Sequence, residues 1–333
     1  MTTARLGRSG LKVSPMCLGT MMFGTQTSAS DARTIADMAL ERGVFFWDTA
    51  DMYGRGASER VCKDLLQGRR GRVVLASKVF APMSDEPNDR GLSARHIIDA
   101  CEQSLRRLGT DWIDLYYLHL PDPSVPTDES LRALEDLVRA GKVRYTGCSN
   151  YPAWQACELA MTAEARGWQP ISAVQPLYNI VNRDIEVELL PMARRRGLGV
   201  VTYSPLARGI LTNKYALDGE PPPGSRLARS DRRFLQAEWR PASIAVARQL
   251  APLAAARGCS PAQLATAWAM ANPWVTSVII GPRTVEQARD ALGALSVTID
   301  AEVEDAVDAL VPPGCHSGTG WPDGQYPVAG RPR

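Results

Sequence analysis

The stretch 73-VVLASKVFAPMSDEPNDRGLSARHIIDACEQSLRRLGTDWIDLYYLH-119 contains one complete β–α–β unit. Its first run, 73–78, and its last, 113–119, are apolar and rich in strand-favouring residues. Continuous apolar character, rather than strict alternation, marks strands covered on both faces of a parallel sheet. Between them Ser93 is placed as a helix N-cap and Gly109 as a stop. Ile97, Cys101, Leu105 and Leu108 recur at three- or four-residue steps and form one apolar stripe.

Six further runs extend the pattern in both directions: VSPMCLGT (13–20), FFWDTA (45–50), VRYTGCSN (143–150), AVQPLYN (173–179), LGVVTYSP (198–205) and TSVIIGPR (276–283). Ser30, Thr127, Ser260 and Thr284 read as additional N-caps, and Gly43, Gly141, Gly167 and Gly197 as stops. Eight strand–helix repeats favour a closed α/β structure, the (β/α)8 TIM barrel, over a doubly wound open sheet. The first strand is followed by no GxGxxG, which weakens the open dinucleotide-binding sheet further. One barrel domain over 1–333 is expected, with two extra helices, Pro241 to Arg257 and Asp300 to Leu310. Residues 213–240, which include PPPGSR, form a candidate lid or cofactor clasp. The Gly/Pro-rich end, 315–333, is expected to cross the barrel surface without regular structure.

The 333 residues are 45% hydrophobic, enough for a large core. Thirty-eight basic and 36 acidic residues leave a net charge of +2, with no basic stripe of the kind nucleic acid or an anionic membrane requires. Seven cysteines at irregular spacing read as reduced thiols rather than a disulfide framework. Residues 1–10 lack the apolar core of a secretion signal, and no run approaches the length of a membrane helix. A cytoplasmic protein with a small-molecule partner is expected.

In such a barrel, active residues gather at the carboxyl ends of the strands. The second strand ends in Asp48 with Tyr53 five residues on, the third in Lys78 and the fourth in His119. Singly, such residues are ordinary turn, cap or solvated positions; together on three neighbouring strands they point to chemistry. Hydride reduction of a carbonyl generates an alkoxide that must be protonated as it forms. A phenol is a slow donor near neutral pH, and a buried lysine beside it is expected to lower its pKa by about two units, roughly 3 kcal/mol. The resulting roles are Tyr53 as general acid, Lys78 as its tuner, Asp48 as the partner of Lys78, and neutral His119 as a donor to the carbonyl oxygen. Glu59 and Asp114 are expected to be structural, and His96 and His316 to lie at the surface. Phe23, Met52, Phe80 and Trp321 are candidates for the substrate pocket, with plain packing as the alternative.

These residues resemble the aldo-keto reductase family along nearly the whole chain. RLGRSGLKVSPMCLGTMMFG is similar to the family's N-terminal β-hairpin and first strand, and FFWDTADMYGRGASE to its signature around Asp48 and Tyr53. Lys78 in ASK and His119 in YYLH complete the tetrad. The resemblance implies NADPH as cofactor, with no metal. It places Ser149, Asn150 and Gln175 on the nicotinamide carboxamide, Tyr203 against the nicotinamide ring, and Thr20 among the cofactor contacts. Ser204, Leu206 and Gly209 would follow the pyrophosphate with Lys214 close by, and Gly281, Arg283 and Gln287 would hold the adenosine end. Arg226 falls where a cation meets the 2′-phosphate, whose nearly two negative charges suit Lys214, Arg226 and Arg283 and favour NADPH over NADH. Ala291 departs from the asparagine the family often sets against adenine, a loss of about 1 kcal/mol.

Three other activities fit parts of the pattern. Lys78 is placed for a Schiff-base aldolase, although Asp48 beside it disfavours the neutral amine. A metallohydrolase fits less well, with three histidines and no HxH pair. A cofactor-binding regulatory subunit of the same fold is compatible with the tetrad.

Overall fold

The computed structural model describes residues 3–318 except 218, 232, 233, 236 and 237. A short antiparallel hairpin, β1 (Ala4–Arg5) and β2 (Lys12–Val13), comes first. The parallel strands are β3 (Met16–Gly19), β4 (Phe46–Asp48), β5 (Val74–Val79), β6 (Ile113–Leu118), β7 (Val143–Ser149), β8 (Ile171–Gln175), β9 (Gly199–Thr202) and β10 (Ser277–Ile280). They close into a barrel in sequence order, with β10 pairing back onto β3. Outside it run α1 (Ala29–Glu41), α2 (Ala57–Leu66), α3 (Ala94–Leu108), α4 (Thr127–Arg139), α5 (Ala153–Arg166), α6 (Leu189–Arg196), α8 (Pro261–Ala271) and α9 (Val285–Gly293). The two helices beyond the repeat are α7 (Pro241–Ala256) and α10 (Ala301–Leu310). The (β/α)8 barrel with a hairpin and two extra helices is therefore the fold of this chain.

Strand side chains alternate between two cores, because successive residues point to opposite faces. Met16, Leu18, Trp47, Leu75, Tyr116, Leu118, Val174 and Val200 pack between sheet and helices. Cys17, Phe46, Ala76, Leu115, Tyr117, Ala173, Val201 and Ile279 fill the barrel, joined by Leu6 and Val13 from the hairpin segment. That segment caps the amino end, where Arg8 N–H donates to the Gly197 carbonyl at 2.7 Å. Continuing the inward set by two residues reaches Asp48, Lys78, His119, Gln175, Tyr203 and Gly281 at the opposite rim. The period of two that builds the core thus delivers these side chains to one mouth.

Several local expectations shift. The sixth strand begins at Ile171 and stops at Gln175, because Pro176 has no N–H for the ladder. Ser28, not Ser30, caps α1, accepting from Asp31 N–H. Thr127 opens α4 from within, after Pro126, and makes no side-chain cap. Ser93, Ser260 and Thr284 cap as expected, Ser260 in a reciprocal box with Gln263. His96 is buried, 1% exposed, rather than at the surface: the apolar stripe of α3 is wide enough to include it, and its Nδ1 lies 3.5 Å from Asp89. Of the tail, residues 315–318 are described; His316 bridges to Asn182, and Ser317 N–H donates to the Val181 carbonyl at 3.0 Å. Among the described residues, no helix is long and apolar enough to cross a membrane.

Gly147 shows how tightly the interior is filled. A Cβ there would fall 2.6 Å from the Tyr117 ring and 2.9 Å from the Ala173 carbonyl oxygen. Gly147→Ala is expected to lower unfolding stability by about 1–3 kcal/mol in urea titration, the usual cost of overpacking. An unchanged midpoint would show that Tyr117 has room to yield.

Candidate active site

Strand register places the site residues side by side, with Gly19 opposite Asp48, Asp48 opposite Ala76, and Ser149 opposite Gln175. Lys78 is fully buried and Asp48 nearly so. The Lys78 ammonium donates to Asp48 Oδ1, to the Thr49 carbonyl at 2.8 Å and to the Tyr53 hydroxyl at 3.1 Å. The remaining Asp48 oxygen accepts from Gln175 Nε2 at 2.9 Å. His119 packs edge-on against Tyr53, ring centroids 6.0 Å apart. The four tetrad residues are thus brought together, and Gln175 buttresses them from across the barrel.

Burial opposes the charge on Lys78, but Asp48 and the Tyr53 oxygen outweigh it and hold the ammonium pKa above its ordinary value. Tyr53 departs from expectation. Its crowded surroundings raise the phenol above its ordinary value, and the pull of Lys78 reverses only part of that rise. The two-unit lowering expected from the sequence omitted this desolvation.

A cavity of about 760 Å³ opens beside the tetrad. Asp48, Tyr53, His119, Ser149, Asn150, Gln175 and Tyr203 line it, and Ser204, Leu206, Gly209, Lys214, Arg226, Gly281, Arg283 and Gln287 continue the wall. Ser149 donates to the Gln175 carbonyl at 2.9 Å, Asn150 Nδ2 to the His119 carbonyl at 2.9 Å, and the Tyr203 hydroxyl to Asn150 Oδ1 at 2.6 Å. Positive φ at Asn150, Ser204, Ala207 and Arg208 strains this rim, as backbone at functional sites often is.

Lys214 and Arg283 have their pKa values lowered first by burial and then by surrounding cations, Arg226 and Arg229 among them. Arg226 pairs with Asp231 at 2.6 Å, while Arg283 reaches the Gly224 carbonyl at 3.2 Å. Arg229 and Arg283 both contact Gln26, so the 224–231 segment is fastened to the loops after β3 and β10. Gln287 Oε1 accepts from Arg283 N–H at 2.9 Å.

Met52, 42% exposed, and Phe80 line the cavity. Phe23 does not, being buried in the outer core, and the Thr20 hydroxyl faces inward to the Asp48 carbonyl at 3.1 Å and to Ser58 at 2.8 Å. A turn after β3 swings both away and sets the exposed Met21 and the buried Met22 along the cavity instead. Trp321 lies outside the described residues. Arg229, Arg208, Thr266 and Asp290 belong to this region and were missed. For Arg229 the signal was present, a second arginine three residues after Arg226. Glu59 and Asp114 are structural as expected: Glu59 accepts from Ser77 and Arg107, and Asp114 pairs with Arg70.

The model of the aldo/keto reductase family matches residues 15–312, and the chain belongs to that family of oxidoreductases. It is 42% identical to "Uncharacterized oxidoreductase YrpG" of Bacillus subtilis (strain 168), over 92% of this chain and 95% of that protein. It is 36% identical to "Probable voltage-gated potassium channel subunit beta" of Oryza sativa subsp. japonica, over 93% and 97% of the two chains. It is 32% identical to "Versiconal hemiacetal acetate reductase" of Aspergillus parasiticus, over 96% and 99%.

Asp51, two residues before Tyr53, is buried; Oδ1 accepts from Met52 N–H at 2.6 Å, and Oδ2 has no hydrogen-bond partner among the described residues. Burial, then Glu59, pushes its pKa up to about 8, against the Met52 N–H, Arg107 and Lys78. A folded pKa above the unfolded value, about 4, makes this contribution to stability full below that value and lost as pH rises through 8. Asp51→Asn keeps the acceptor and removes the titration. It is expected to raise the melting temperature by about 2–5 °C at pH 8 and leave it unchanged at pH 4, and equal gains at both would contradict this origin.

Proposed function

We propose that this protein is an NADPH-dependent reductase of aldehydes or ketones, with Tyr53 as the proton donor. The observation that carries the reading is the Tyr53 hydroxyl at the cavity wall, 3.1 Å from a charged, fully buried lysine. NADPH, when bound, supplies the hydride. A phenol held above its ordinary pKa stays protonated at neutral pH. A developing alkoxide is a stronger base than tyrosinate, so the proton moves from Tyr53 Oη to the carbonyl oxygen as charge appears there. The Lys78 ammonium then stabilises the tyrosinate left behind, and Asp48 keeps that ammonium charged and aimed. His119, packed edge-on against Tyr53, orients the carbonyl oxygen.

The cavity suits the cofactor. Lys214, Arg226 and Arg283 line one part of it with Arg229 close by, and burial together with this crowding of cations lowers the proton affinity of Lys214 and Arg283, an arrangement that a phosphomonoester relieves. Tyr203, tied by its hydroxyl to Asn150, offers its ring as a platform for the nicotinamide. Ser149, Asn150 and Gln175 are assigned to its carboxamide, Ser204, Leu206, Gly209 and Lys214 to the pyrophosphate, and Gly281, Arg283 and Gln287 to the adenosine. Met52 and Phe80 are assigned to the substrate. The charged state of Lys78 speaks against a Schiff-base aldolase, which needs the free amine. Seven unpaired cysteines support a reducing, cytoplasmic compartment.

The potassium-channel name of the rice relative favours a second reading, a cofactor-binding subunit of another protein. Turnover discriminates between them. Tyr53→Phe is expected to lower kcat for NADPH oxidation across an aldehyde and ketone panel by at least about 100-fold, with the NADPH Kd within about twofold of wild type. Equal activity in the variant would remove Tyr53 as the acid, and negligible wild-type turnover with tight NADPH binding would favour the subunit. Arg226→Ala is expected to weaken NADPH about tenfold and NADH less than about twofold in fluorescence titration; equal loss for both would contradict a 2′-phosphate contact.

A further inference from the structure

A second buried polar cluster adjoins the tetrad, and the reaction described above does not use it. Ser77 faces outward from β5, where its neighbour Lys78 faces the mouth. Glu59 on α2, fully buried, accepts from the Ser77 hydroxyl at 2.7 Å and from Arg107 Nε at 2.6 Å. The Tyr116 hydroxyl on β6 is buried within the influence of Asp51, Glu59 and Arg107, and has no hydrogen-bond partner among the described residues. Asp51 feels both groups, Glu59 and Arg107 from the cluster and Lys78 from the tetrad. It sits in the turn that carries Tyr53, its N–H reaching the Lys78 carbonyl at 3.4 Å while Tyr53 N–H donates to the Ala50 carbonyl at 3.2 Å.

The charges around Asp51 are already matched. Glu59 pairs with Arg107 and Asp48 with Lys78. Asp51 is fully buried, ion-paired to no cation, with one oxygen on the Met52 N–H and the other without a partner among the described residues. A carboxyl so placed avoids charge until pH forces it. Once ionised, it sets a negative charge two residues from Tyr53 and draws on the same ammonium that must stabilise the tyrosinate, so it opposes release of the phenol proton.

We infer that Asp51 is a positioning residue acting through Tyr53: the proton on its carboxyl keeps Tyr53 able to donate, and loss of that proton sets the alkaline limit of the reduction. The inference rests on the reductase reading above. Burial raises the phenols of Tyr53 and Tyr116 and pushes the thiols of Cys62 and Cys101 up to about 12, and Lys78 stays charged, so all five keep their charge where Asp51 loses its proton. The rate is therefore full below the Asp51 midpoint, near 8, and falls above it.

The test follows single turnovers by stopped-flow fluorescence of the enzyme–NADPH complex mixed with saturating 4-nitrobenzaldehyde, from about pH 6 to about pH 9.5, in wild type, Asp51→Asn and Asp51→Ser. The wild-type rate is expected to fall about 5–10-fold to a lower plateau, while both variants, unable to ionise at this position, change less than about twofold. The NADPH Kd should stay within about twofold of wild type in both variants at every pH. Carboxyl-carbon NMR of aspartate-labelled wild type reads the Asp51 midpoint directly, and it should match the kinetic midpoint to within about one unit. A wild-type rate that stays level, a fall that persists in both variants, or midpoints farther apart than that would overturn the inference and leave the reductase reading standing. If wild type bound NADPH yet reduced neither 4-nitrobenzaldehyde nor any other member of the panel at about pH 6, the reductase reading would fall and this inference with it.

Discussion

A lysine ammonium sealed from water must find an acceptor for each of its three protons inside the protein. Lys78 finds them in the Asp48 carboxylate, the Thr49 carbonyl and the Tyr53 hydroxyl. The first two fix the ammonium on the neighbouring strand; the third makes the position of Tyr53 a consequence of satisfying Lys78. Asp48 in turn is completed by Gln175 from the far side of the barrel. Breaking a buried pair of this kind by removing one partner costs about 3–5 kcal/mol, so the arrangement is held by the same closure that makes the fold.

The fold and the chemistry share one periodicity. Inward residues fill the barrel from Leu6 and Val13 at one end through Phe46, Ala76 and Tyr117, and the same alternation then runs out into the ionisable rim. Left-handed backbone recurs along that rim, at Asn150, Ser204, Ala207 and Arg208. Local bonds hold it there, among them Asn150 N–H to the Gln175 carbonyl and Asn179 Nδ2 to the Ser204 carbonyl. The cationic segment behind it is fastened through Gln26, which joins the first strand's loop to the 224–231 stretch.

Strand positions and the tetrad were legible in the sequence because each rests on a repeated signal: apolar runs at regular intervals, and ionisable residues at their carboxyl ends. What escaped depended on one side chain's rotation or on desolvation. Thr20 and Phe23 sit beside the site in sequence, yet a turn directs one to Ser58 and the other into the outer core. Ser28 and Ser30 are equally good caps on paper, and only the start of α1 separates them. His96 reads as polar, but the breadth of the buried face of α3 draws it in. The phenol of Tyr53 was expected to fall under the influence of Lys78, and burial, invisible to a motif, reverses the net direction.

The most direct test follows the Tyr53 ionisation itself by carbon NMR titration of ring-labelled tyrosine, in wild type and in the charge-neutral double variant Asp48→Asn/Lys78→Met. If the tied ammonium holds the phenol down against burial, the Tyr53 midpoint rises by at least about one unit in the double variant, about 1.4 kcal/mol of lost tyrosinate stabilisation. A midpoint equal to or below that of wild type would show that Lys78 does not govern the acid.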